Sequence, residues 1–110
     1  MKVFYSIEIQ TNYPQEINEE IVQSAMKHLG FEREDYEDEE TYSASYIFAA
    51  MTKPSEMEER AKRFMQETPG IHYVDIAYRY EYAMVPDRFV IWDDGKIQHY
   101  TGYITYREDE

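Results

Sequence analysis

Val3-Phe4-Tyr5-Ser6-Ile7-Glu8-Ile9-Gln10 is the stretch whose reading decides the fold. Val3, Tyr5, Ile7 and Ile9 alternate with Phe4, Ser6, Glu8 and Gln10, and a period of two is the signature of a half-buried strand. Asn12, Tyr13 and Pro14 break the pattern. Ile17, Ile21, Ala25 and Leu29 then recur at a spacing of four, with Val22 and Met26 widening the stripe, which is one face of a helix. Gly30 ends it in the position where a left-handed residue is wanted.

Outward from this strand–helix pair, the chain continues with residues 31–40, of which seven are acidic: Glu32, Glu34, Asp35, Glu37, Asp38, Glu39 and Glu40. Such a run cannot bury itself, so it reads as a loop, a short edge strand or both. Thr41 to Met51 reads as a strand with Tyr42, Ala44, Tyr46, Phe48 and Ala50 on one face. Pro54 and Ser55 open a second helix, with Ser55 and Glu58 spaced as a capping box. Its apolar stripe is Met57, Ala61, Phe64 and Met65, and Thr68-Pro69-Gly70 stops it. From His72 to Tyr82 the period of two returns, with Val74, Ile76, Tyr78, Tyr80 and Tyr82 pointing one way. Pro86 interrupts it. Phe89 to Trp92 is a short strand, Asp94-Gly95 predicts a two-residue type I′ turn, and Ile97 to Tyr106 is the returning strand. Residues 107–110 read as a frayed tail.

The expected architecture is α+β, a ferredoxin-like βαββαβ antiparallel sheet with two helices on one face and an extra C-terminal β-hairpin. Residues 1–110 form one domain in this reading, since 110 residues leave no room for two. In size and strand order it resembles the small nuclease subunits of CRISPR adaptation modules. Those carry an aspartate at the end of the first strand, where this chain reads Glu8-Ile9-Gln10-Thr11, so no nuclease residue is carried over.

Composition narrows the chemistry. The 23 acidic against 11 basic side chains give a formal net charge of −12, which disfavours nucleic acid and anionic membrane as direct partners. No cysteine is present, which excludes disulfides, thiolate catalysis and thiolate-held metals. Absence of an apolar leader and of a run long enough to span a bilayer leads to a cytoplasmic expectation. His28, His72 and His99 fall in no metal-binding spacing, and His28 lies off the helix stripe, as a surface residue would. No serine sits in a nucleophile elbow, and Gly30, Gly70, Gly95 and Gly102 are too far apart to cradle phosphate. Glu8 is the carboxylate best placed for burial, with a solvated residue on the polar face as its plain alternative.

The expected function is therefore a non-enzymatic acidic interaction protein with no cofactor and no metal. Its form is a small inhibitor encoded by a phage or other mobile element, of the anti-CRISPR or anti-restriction type. By DNA mimicry it blocks the nucleic-acid-binding surface of a basic host defence protein. The expected partner-binding residues are Glu32, Glu34, Asp35, Tyr36, Glu37, Asp38, Glu39, Glu40 and Tyr42. The alternative is a ferredoxin-like homodimer that binds or transforms a small molecule in a sheet-lined pocket, with tyrosines and His72 or His99 as its lining.

Overall fold

The computed structural model describes residues 1–102 and, within them, every side chain except those of Tyr36 and Glu37. The elements are β1 (Val3–Thr11), α1 (Glu19–Leu29), a 3-10 turn (Arg33–Asp35), β2 (Tyr36–Glu39), β3 (Ser43–Ala50), α2 (Pro54–Glu67), β4 (Ile71–Tyr80), β5 (Asp87–Trp92) and β6 (Ile97–Tyr100). All six strands join one sheet in the order β2-β3-β1-β4-β5-β6, and every neighbouring pair is antiparallel. The fold is thus α+β with a six-stranded antiparallel sheet and two helices. No helix among the described residues is long and apolar enough to cross a membrane.

The alternation of β1 holds: Val3, Tyr5, Ile7 and Ile9 are buried. Cross-strand pairing carries the same phase through the sheet, so Ile7 lies opposite Tyr46 on one side and Ile76 on the other. Both helices cover this phase. Ile21, Ala25 and Leu29 of α1 and Met57, Ala61 and Phe64 of α2 belong to the same buried cluster as the strand residues. Burying side chains of this size stabilises by about 1.5–3 kcal/mol each, and the Phe64 ring is fully enclosed.

Several expectations are corrected. Helix α1 starts at Glu19, so Ile17 packs from outside it; Asn18 is the N-cap, and its side-chain oxygen accepts from the Ile21 N–H at 2.9 Å. The capping box at Ser55 and Glu58 is not formed. Pro54 takes the first helical position, for which its fixed φ suits it, so Lys53 becomes the cap residue and Ser55 falls inside the helix. Residues 31–40 are both loop and edge strand, with the 3-10 turn leading into β2. Strand β6 is shorter than expected and ends at Tyr100; the rest of the expected strand from residue 103, and the frayed tail at 107–110, lie outside the described residues.

The turn between β5 and β6 is a three-residue loop. The Gly95 N–H donates to the Trp92 carbonyl, the Trp92 N–H donates to the Lys96 carbonyl, and only Gly95 has positive φ, +87°. A type I′ turn would put Asp94 in the left-handed region as well. An L side chain there costs about 1–2 kcal/mol, and the three-residue loop avoids this by using the glycine alone.

Candidate functional site

The acidic segment hangs from one aromatic anchor. Phe31 is buried and stacks on Tyr46, ring centroids 3.9 Å apart. The chain then turns outward: the Glu32 N–H donates to Asp35 Oδ2 at 2.8 Å, and the Asp35 N–H donates back to the Glu32 carbonyl at 3.0 Å. Strand β2 follows, with Asp38 opposite Ser45 and Glu39 opposite Ala44, and a register shift between Tyr36 and Asp38. Glu32, Glu34, Asp38, Glu39 and Glu40 are exposed, and Asp35 is half-buried. Arg33 pairs with Glu19, which brings the acidic first turn of α1 against the same margin. Hydrogen bonds from Gln23 and Arg33 hold the Glu19 carboxyl below the usual carboxylate range.

Tyr42 stands apart from this group. It is half-buried, its ring tilts against Tyr13 at 5.7 Å, and its carbonyl accepts from the Thr11 backbone N–H. The structure thus gathers Glu32, Glu34, Asp35, Asp38, Glu39 and Glu40 along one sheet edge and sets Tyr42 at the strand end beside it. Tyr36 and Glu37 belong to β2 by backbone position.

Ion pairing separates two acidic regions that look alike in sequence. On α2, Glu56 reaches Arg60 at 3.7 Å, Glu58 and Glu59 reach Lys62 at 3.6 and 3.0 Å, Glu58 meets His99 at 2.6 Å and Glu67 meets His28 at 3.3 Å. Among the described residues, no ion pair engages Glu32, Glu34, Asp38, Glu39 or Glu40.

The histidines differ from expectation. His28 is not a surface residue: its side chain is 10% exposed, with Nδ1 2.9 Å from the Ser24 carbonyl. The i+4 geometry turns it off the apolar stripe but into the seam between the helices, where Glu67 and Phe64 meet it. His72 Nδ1 lies 3.2 Å from Asp93, which also accepts from Asn12. These two hydrogen bonds, that from His72 foremost, lower the Asp93 carboxyl. His99 pairs with Phe89 on the helix-covered side. Among the described residues no three His, Asp or Glu side chains group as a metal site.

The other face of the sheet carries no helix. Across it run the rows Ser43–Gln10–Tyr73–Trp92, Asp38–Ser45–Glu8–Asp75–Val90–Gln98, Ile47–Ser6–Ala77–Arg88–Tyr100 and Ala49–Phe4–Arg79. Glu8 and Asp75 are directly opposite, an arrangement that destabilises by itself. Arg88 answers it at 3.0 Å from Asp75, and Tyr73 donates weakly to Glu8 at 3.4 Å. Desolvation raises the Asp75 carboxyl, with Arg88 opposing and Glu8 adding. Beside this row, a hollow of about 320 Å³ is lined by Phe4, Ser6, Ile47, Ala77, Arg79 and Met84 among others. Neither His72 nor His99 lines it. A second cleft, about 360 Å³, opens between the end of α2 and the β5–β6 loop, where Asn12, Lys62, Trp92 and Asp93 meet.

Sequence reasoning did not single out the uncovered face. Its signal was present in the outward phase of the strands, where Phe4, Ile47, Ala49 and Ala77 interrupt an otherwise polar set. Comparison with known protein families, with curated proteins and with solved structures found no match to this chain.

Proposed function

We propose that this chain is a non-enzymatic, cytoplasmic interaction protein. Its acidic margin occupies the basic, nucleic-acid-binding surface of a larger protein, as inhibitors of CRISPR effectors and restriction enzymes do. The observation that carries the reading is the partition of ion pairs: the carboxylates of α2 have basic neighbours, whereas Glu32, Glu34, Asp38, Glu39 and Glu40 stand exposed with none among the described residues. Duplex DNA presents one charge per about 1.7 Å of axis, and a strand edge dense in carboxylates offers a basic groove a comparable field. The partner relieves the mutual repulsion of the segment and releases counterions from its own site. The scaffold is read as ferredoxin-like with an added β5–β6 hairpin. In support, β1 and β2 run parallel with β3 between them, and β4 flanks β1 on the other side.

A second reading rests on the uncovered face: the hollow beside Glu8, Asp75 and Arg88 suits a small molecule, with apolar walls and a few convergent polar groups.

Capture of the partner from a host lysate at low and high salt, followed by competition with duplex DNA, tests the first reading. The expected partner binds DNA, loses this chain when DNA is added, and binds the Glu37→Lys, Glu39→Lys, Glu40→Lys triple variant more than tenfold more weakly, about 1.4 kcal/mol. A partner that holds the triple variant as tightly as the parent at low salt, or that ignores DNA, refutes it.

A further inference from the structure

Nine large apolar side chains are exposed among the described residues, and eight of them share one end of the sheet: Met1, Ile47, Met51, Tyr80, Tyr82, Met84, Val85 and Tyr100. Topology places them there. Val3 lies opposite both Ala50 and Tyr80, so the start of β1 and the ends of β3 and β4 coincide, with Met1 and Met51 just beyond. Tyr82, Met84 and Val85 belong to the loop that joins β4 to β5, and Ile47 and Tyr100 close one row across the uncovered face. Met84 is 94% and Tyr82 85% exposed. The ninth, Tyr13, stands at the opposite end beside Tyr42. Scattered apolar residues need no explanation, but a contiguous patch of this composition marks a contact surface.

We infer that this end of the sheet is the interface between two copies of the chain, related by a two-fold axis. Area supports it: with roughly 200 Å² for a fully exposed Met or Tyr, the eight side chains offer about 1,000 Å², against about 800 Å² per partner in a stable dimer. Charge selects the second copy and the end-to-end arrangement. Two chains of net charge −12 repel each other, so the contact must keep their acidic margins apart. Glu39 pairs with Ala44, whose other neighbour is Ile9, so the margin lies toward the far end of β1. Nine residues of strand separate the two ends by about 30 Å, several Debye lengths at physiological salt. The apolar end itself is self-complementary, with Lys2, Arg79 and Arg88 against Glu81 and Asp87. A two-fold contact sets the basic groups of each copy against the acidic groups of the other. This inference does not depend on the acidic margin having a partner.

Sedimentation equilibrium from micromolar to millimolar concentration tests it. The parent chain is expected at twice 13.3 kDa. Met84→Glu and Ile47→Glu, each at an exposed position, should keep the parent's circular dichroism and weaken dimerisation at least tenfold. Tyr13→Glu, at the opposite end, should leave the dimer intact. A parent that stays at 13.3 kDa throughout overturns the inference and gives this end to another occupant. It is equally overturned by a dimer that survives both glutamate variants or is lost in Tyr13→Glu.

Discussion

Replacing Asp94 by glycine separates two geometries for the β5–β6 turn. In a two-residue type I′ turn Asp94 would sit at positive φ. Glycine would then relieve a left-handed L residue and stabilise the protein, at most by about 1–2 kcal/mol. In the loop the structure shows, Asp94 has negative φ and its Oδ1 accepts from the Lys96 N–H at 2.9 Å. Glycine there removes that hydrogen bond, worth about 0.5–1.5 kcal/mol, and frees the unfolded chain by a further 0.4–1 kcal/mol or so, so the variant should lose about 1–2 kcal/mol. Gly95→Val is the companion. A Cβ at Gly95 would meet nothing within 4 Å, so its cost is the backbone alone at φ +87°, about 1–2 kcal/mol. Urea unfolding with an unchanged slope measures both, and each kcal/mol should appear as roughly 4–8 °C in Tm. An Asp94→Gly variant as stable as the parent or more so would refute the three-residue loop.

Phe64→Ala should cost about 3–5 kcal/mol and Ile21→Ala about 2–5 kcal/mol, because each side chain leaves a void between its helix and the sheet; parent-like melting of both would mean the helix faces are misassigned. Tyr5→Phe strands the Thr52 carbonyl, which the Tyr5 hydroxyl reaches at 2.6 Å, and should lose about 1–3 kcal/mol in the same assay. Asp75 titrates above the ordinary carboxylate range because burial disfavours its charge. A raised carboxyl binds its proton more tightly when folded, so its contribution is fullest below the unfolded pKa and is lost as pH rises through the folded value. Stability curves of the parent and Asp75→Asn between acidic and neutral pH should therefore converge toward neutrality, with the parent gaining at acid pH; a parent that loses ground to the variant on acidification contradicts the shift.

Periodicity along the chain was enough to determine the covered side of the sheet and the helices upon it. The phase of Val3, Tyr5, Ile7 and Ile9, and the spacing of Ile21, Ala25 and Leu29, follow from local geometry alone, since strand side chains alternate and helix side chains return every three to four residues. The acidic run was equally legible, because seven carboxylates in ten residues cannot be buried in any fold. Tertiary structure decided which carboxylates remain without basic neighbours. Glu58 and Glu39 are indistinguishable in sequence, and only folding brings His99 against the first, across 41 residues. His28 was misread for the same reason: leaving the stripe of α1 turned it toward α2 rather than solvent. The apolar end is likewise nonlocal. Met1, Met51 and Met84 are each an unremarkable exposed methionine, and antiparallel pairing of β1 with both β3 and β4 is what gathers them into one surface.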